Sequence, residues 1–327
     1  MEKEKSEIRW VHVANHIHQN LFQQPYLIGG FYNWCKVFKS QIYYYAQIQG
    51  HFKEYDVVFV DIAKPEMEAA MVSRIREEIG WNSSTLIVGS VDYAIELWKG
   101  LWNLHHLRRE LLNVDYIFCA EPYMGKCLNQ LLNGLKDVYL LAHPTNVDVY
   151  KKIALPPDKR ENLLLAMVHR YDNNWVSPWL ATKNITNINK VAVLLDGGQE
   201  MFVLPYFPVV RTGREFSEWV NTLKLARVGI DSYSNVHSYG RVPVDFGCFG
   251  VPVVASKICY TQNVVWPDLV TEPWDVEHQA KLLERLLKDE EFYLQCIEKA
   301  NIKVEEFGYK NSKQKFIDMI NGKGEKI

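Results

Sequence analysis

Short apolar runs, each uncut by charge, alternate with amphipathic stretches of helical length, and this alternation constrains the fold more than any other feature. The runs Trp10–Val13, Val57–Val60, Leu86–Val88, Tyr116–Cys119 and Val138–Leu141 have the length and composition of strands covered on both faces. Helical patterns fall between them, over residues 31–38, 66–79 and 94–112, and from Pro122 with Met124–Leu132. The Pro-rich, charged segment 155–161 (LPPDKRE) interrupts the series as a domain connection does. It then restarts with strands at Leu163–Val168, Val191–Leu195, Val228–Asp231 and Val251–Ala255. Helices are expected over 215–226, 242–249 and from 276 to about 287, where Leu282, Leu283, Leu286 and Leu287 supply an apolar stripe. Strands alternating with helices give parallel, doubly wound sheets. The expected class is therefore α/β, with two Rossmann-like parallel-sheet domains facing each other across a cleft.

Composition narrows the functional classes. A chain of 327 residues with 48% hydrophobic and 23% charged residues can bury two full cores. A formal net charge of −2 gives no overall electrostatic footprint for nucleic acid, and no nucleic-acid partner is expected. The six cysteines contain no C-x-x-C pair and read as reduced, mostly buried thiols. The start MEKEKSEIRW is no secretory signal, and no stretch approaches the roughly 18 apolar residues of a membrane span. The sequence therefore predicts a cytoplasmic protein, at most peripheral to a membrane. The high aromatic content suits core packing better than sugar stacking.

Metal chemistry finds little support. His12, His16, His18 and His105-His106 lack the nearby cysteine or carboxylate partners of a ligand set, and no Asp-x-Asp occurs. No metal site and no cofactor are expected. There is likewise no Walker loop, no intact G-x-G-x-x-G and no Ser-His-Asp signature.

The most informative stretch runs from Ser234 to Ser256 (SNVHSYGRVPVDFGCFGVPVVAS). It follows a strand ending at Asp231, passes a polar loop containing Gly240, starts a short helix near Val242 and turns at Gly250 into another strand. A helix starting there points free N–H groups and its positive dipole end toward ligand, which makes an anion site. One turn on, Asp245 can accept hydrogen bonds from vicinal hydroxyls, as acidic residues do for ribose in dinucleotide folds.

This stretch resembles the retaining glycosyltransferases of family 4, of GT-B architecture, whose hallmark reads S-x-x-E-G-F-G, then a second Glu and A-x-G-x-P-V-V. Ser234, Tyr239, Gly240, Gly250, Pro252, Val253 and Val254 fall at matching spacing. Gly29-Gly30 is similar to the family's amino-terminal glycine loop, and HPTNVD at 143–148 to its P-N-G-V-D. VHR at 168–170 is similar to its G-R, and VAVLLDGG at 191–198 to its next strand and glycine turn. The 276–307 stretch carries its carboxyl-terminal helix pattern, so the resemblance spans roughly Tyr26 to Phe307.

The resemblance implies a metal-independent transfer of a sugar from a nucleotide diphosphate donor, UDP- or GDP-linked, to an acceptor hydroxyl on a glycan, lipid or protein, with retention at the anomeric carbon. It implies His237, Arg170 and Asp92 around the reacting sugar and diphosphate. Asp245, Gly240, Tyr239 and Ser238 would bind the donor nucleotide, and Gly29 and Gly30 would line the acceptor and phosphate loop; Arg241 joins the donor-binding set by its place beside the same helix start and not by the family pattern. The chain departs from the pattern in that the two family glutamates fall on His237 and Asp245, and a glycine on Ser238. The family lysine falls on Trp175, and Arg241, beside the same helix start, can replace its charge. Gly89-Ser90-Val91-Asp92 offers no counterpart of the family's histidine. These departures keep open a second reading, a non-catalytic relative that binds a nucleotide or glycan. The expected domains are 1–155, 156–307 and a terminal helix, 308–327, returning to the first, with closure on the donor pivoting at 155–161.

Overall fold

The computed structural model describes residues 8–14, 30–62, 71–91, 101–168, 176–194, 207–211, 216–231 and 236–327. The described residues before Thr145, with Tyr309–Ile327, make one compact unit, and Thr145–Gly308 make the other.

The first unit contains β1 (Trp10–Val13), α1 (Gly30–Phe38), β2 (Gln41–Tyr43), α2 (Tyr45–Ile48), β3 (Val57–Ile62), α3 (Met71–Ile79), β4 (Leu86–Val91), α4 (Leu101–Leu112), β5 (Tyr116–Cys119), α5 (Pro122–Leu132) and β6 (Val138–Leu140). All six strands are parallel, in the order β2-β1-β3-β4-β5-β6. Sequence determines where the helices start and stop. At α5, Pro122 takes a first-turn position where its missing N–H costs nothing, while the Glu121 carboxylate accepts from the N–H groups of Tyr123 and Met124. Asn133 ends the same helix in a left-handed conformation at φ 52°.

The second unit holds α6 (Val147–Ile153), β7 (Leu163–Met167), α7 (Val176–Thr182), β8 (Asn189–Leu194), β9 (Val209–Arg211), α8 (Phe216–Leu225), β10 (Val228–Asp231), α9 (Arg241–Phe249), β11 (Val253–Ser256), α10 (Tyr260–Val265), β12 (Val270–Thr271), α11 (Val276–Lys288) and α12 (Glu290–Lys303). Its strands are again all parallel, ordered β12-β11-β10-β7-β8-β9.

Three strands have no counterpart in the apolar runs: β2, β9 and β12, each at a sheet edge. An edge strand pairs on one side only and can be very short, so its two or three residues leave no run to read. The unit boundary also differs from the segment 155–161. It falls at Pro144–Thr145, because α6 packs on α9 within the second unit. The segment 155–161 is itself anchored there: Arg160 donates to the carbonyls of Leu155, Phe249 and Gly250.

The last helix, α13 (Tyr309–Ile320), belongs to the first unit. Phe316 is fully buried among Trp10, Trp34, Phe38, Phe59 and Phe118, with ring centroids 4.9 to 6.2 Å away. Much of the aromatic content is core, although Trp81 and Trp274 lie exposed. No helix among the described residues is long and apolar enough to cross a membrane.

Candidate functional site

Numbered from its own first strand, the second sheet runs 6-5-4-1-2-3, the Rossmann order, which reverses direction between β7 and β10. In open α/β sheets, ligands bind outside the carboxyl ends of the strands at such a reversal. At that point the described residues 236–240 lead into α9, which begins at the carboxyl edge and carries the chain back toward β11.

The loop before α9 is held like a short extra strand. Ser238 bridges Cys259 in parallel, the Tyr260 N–H donates to the Ser238 carbonyl at 2.9 Å, and the Thr261 N–H donates to the Tyr239 carbonyl at 3.0 Å. The Thr261 hydroxyl donates to the Gly240 carbonyl. Gly240 sits at φ +71°, and a Cβ there would lie 1.9 Å from the Cys259 sulfur, so both backbone and space demand glycine. The Cys259 thiol is buried, and burial pushes it up to about 12, which leaves it a packing group and not a nucleophile. Tyr239 packs edge-on against Phe307, with centroids 6.3 Å apart. His237 and Ser238 are half-buried, and the N-cap residue of α9, Gly240, has no side chain with which to cap it.

Arg241 opens the helix. Its Nε donates to the Asp245 carboxylate at 3.2 and 3.3 Å, and its Nη2 donates to the Tyr150 hydroxyl oxygen at 3.0 Å. The Trp219 indole N–H donates to the second Asp245 oxygen at 3.2 Å. Tyr150 is 1% exposed and stacks on Phe249, at 5.8 Å between centroids. Asp245 keeps 5% of its side-chain surface exposed, whereas Arg241 keeps 18%. Burial pushes the Asp245 carboxyl up, against the pull of Arg241 and the Trp219 bond. Burial also works against the Arg241 charge, but Asp245 and Tyr150 outweigh it, so this guanidinium is held more firmly charged than usual. A cation at a helix start opposes the helix dipole, by roughly 0.3–1 kcal/mol in exposed cases. The geometry therefore builds positive potential where local stability disfavours it.

No family model and no curated protein matches the chain by sequence. Solved structures match it in fold. HepE of Anabaena in complex with UDP aligns at a TM-score of 0.73 and 10% identity, covering 96% of this chain and 100% of its own. The trehalose-6-phosphate structure from E. coli bound with UDP-2-fluoro glucose aligns at 0.71 and 10%, over 95% of this chain and 98% of the other. An alpha-glucosyltransferase in complex with UDP and a DNA 13-mer gives 0.68 and 10%, over 96% and 99%. The fold is GT-B.

On this GT-B chain, six of the residues singled out by sequence come together: His237, Ser238, Tyr239, Gly240, Arg241 and Asp245 share one loop and one helix. Gly30 begins α1 in the first unit. Gly29, Asp92 and Arg170 lie outside the described residues, as does Trp175. Among the described residues no group of three or more His, Cys, Asp or Glu is placed to hold a metal ion. Sequence reasoning missed Tyr150, Trp219 and Thr261. The i,i+4 spacing of Arg241 and Asp245 signals their ion pair, whereas Tyr150 and Trp219 reach the site from distant segments that carry no local mark.

Proposed function

We propose that this protein transfers a sugar from a nucleotide diphosphate donor, UDP-linked in the first instance, to an acceptor hydroxyl, with retention and without a divalent metal. One observation carries the reading: Arg241 is fixed at the positive start of α9, behind the N-cap Gly240, where the Rossmann order reverses. As a glycosidic bond to a nucleotide breaks, negative charge gathers on the departing diphosphate. Fixed N–H groups and a guanidinium fork aimed at that charge stabilise it more in the transition state than in the ground state. The same groups can do the electrostatic work of a metal ion.

Two comparisons support the finer points. HepE is also described in complex with UDP and glucose. A trehalose-6-phosphate synthase described in connection with glycosyl transfer with retention aligns at a TM-score of 0.62 and 11% identity. The acceptor is a hydroxyl of a glycan, lipid or protein, and the net charge of −2 argues against nucleic acid. His237 faces the donor sugar in this reading, with Arg170 on the diphosphate, Asp92 as a further catalytic residue, and Gly29 and Gly30 in the acceptor and phosphate loop.

A panel of UDP- and GDP-sugars, incubated with and without chelator and followed by NMR of the anomeric proton, tests the proposal. Transfer or slow hydrolysis with retained configuration, unaffected by chelator, is expected. Inverted product, or activity that collapses in chelator and returns with magnesium or manganese, refutes the respective part. The buried engagement of Asp245 favours a second reading, a GT-B protein that binds nucleotide without turnover, and tight UDP binding with no hydrolysis of any donor selects it.

A further inference from the structure

The family pattern assigns the carboxylate at position 245 to the nucleotide ribose, but its surroundings point elsewhere. Asp245 is 4% exposed, and its two oxygens already accept from Arg241 and Trp219. Tyr150 places its hydroxyl oxygen on the other end of the same guanidinium edge, so Nε and Nη2 are gripped from two elements, α9 itself and α6. An arginine side chain carries about 2 kcal/mol of rotamer entropy. One held along one edge has given up much of that freedom before any ligand arrives. Stacking on Phe249, at the far end of α9, fixes the Tyr150 ring in turn.

We propose that Tyr150 and Asp245 are positioning residues that lock Arg241 for a diphosphate, and that Asp245 does not take the ribose. The inference rests on the reading that Arg241 meets the donor diphosphate. Trp219 serves as the outer member, holding the carboxylate that holds the arginine. The more exposed Arg241 is then the contact group, and the more buried Asp245 and Tyr150 stand behind it. The arrangement accounts for a helix that starts with a cation at its positive end. Asp245 and Tyr150 offset locally a charge whose use is for an incoming anion.

Calorimetry on the full chain with two probes, UDP and inorganic pyrophosphate, separates the possibilities. Arg241→Ala should weaken both probes about 10- to 100-fold, the scale of a charged hydrogen bond lost. Tyr150→Phe, which removes one oxygen and no charge, should weaken both about 3- to 10-fold and have no further effect in the Arg241→Ala background. Asp245→Asn should change UDP and pyrophosphate affinity by the same factor, since both report on Arg241. With a donor that the wild type turns over, Tyr150→Phe should lower kcat more than it raises KM, because diphosphate charge peaks in the transition state.

If Asp245→Asn weakens UDP and leaves pyrophosphate unchanged, the carboxylate holds the ribose and the proposal falls. A Tyr150→Phe effect that persists undiminished without Arg241 is merely structural and overturns it as well. Both outcomes leave the diphosphate reading standing. Undiminished UDP binding by Arg241→Ala, or a wild type that binds neither probe, overturns the diphosphate reading itself and this inference with it.

Discussion

Arg160 should matter more to the second unit than any other residue of its segment. Its Nε and Nη2 donate to the Leu155 carbonyl at 3.2 and 2.9 Å, Nη2 to Phe249 at 2.7 Å, and Nη1 to Gly250 at 2.5 Å and to the Tyr293 hydroxyl at 3.0 Å. Phe249 and Gly250 are the last carbonyls of α9, which turns out through Gly250 at φ +65°. A helix leaves its final carbonyls without intrahelical partners, and a cation there also complements the dipole. Each charge-assisted bond contributes about 1.5–3 kcal/mol. Water can reach this half-buried site and replace part of the loss, so Arg160→Ala should destabilise by about 3 kcal/mol rather than the full sum. For a unit of this size that lowers Tm by about 6–12 °C. Arg160→Lys keeps the charge but not the fork and should recover about 1 kcal/mol. Scanning calorimetry measures the shift, and hydrogen exchange at Phe249–Val251 localises it. A second-unit transition within about 1 °C of wild type, with unchanged exchange at those amides, would show that the cap contributes nothing.

Gly240→Ala must accommodate a Cβ 1.9 Å from the Cys259 sulfur at positive φ, and should cost about 2–5 kcal/mol; pairing it with Cys259→Ala should return the steric share only, and full recovery in a stability cycle would mean that φ is not strained. His12 is fully buried beneath Phe59, with Ser40 Oγ 2.5 Å from Nδ1, and burial lowers its pKa to about 3. The unfolded chain therefore binds that proton more tightly, so stability is intact above about pH 6.5 and falls toward pH 3, with about 1.4 kcal/mol lost by pH 5.5; denaturant melts of wild type and His12→Gln at pH 7.5 and 5.5 should show the loss only with histidine present. Phe316→Ala should destabilise the first unit by about 3–5 kcal/mol and leave the second nearly unchanged, and calorimetry showing the second unit more affected would contradict the packing of α13.

The fold was legible wherever burial on both faces wrote itself as a run. The central strands β3, β4 and β5, and β7, β8 and β10, are legible nearly in place, as is the edge strand β6 because its residues are apolar, while the edges β2, β9 and β12 are too short and leave no apolar run. The site divides in the same way. The loop, glycine and helix start at 236–241 are local and could be read from their order. The role of Asp245 could not, because it depends on what surrounds the carboxylate in space. From sequence, an aspartate one turn into a helix beside a glycine loop reads as a hydroxyl acceptor. In the structure it is flanked by a guanidinium four residues back, an indole from α8, and a tyrosine across the arginine from α6. Two signs are legible: the i,i+4 spacing of Arg241 and Asp245, and a local inconsistency, an arginine at a helix start. Natural sequences depart from local rules chiefly where function requires it. A cation placed against the helix dipole, and then held by a carboxylate of its own helix and a tyrosine from a segment distant in sequence, is a stronger pointer to this site than any single match to the family pattern.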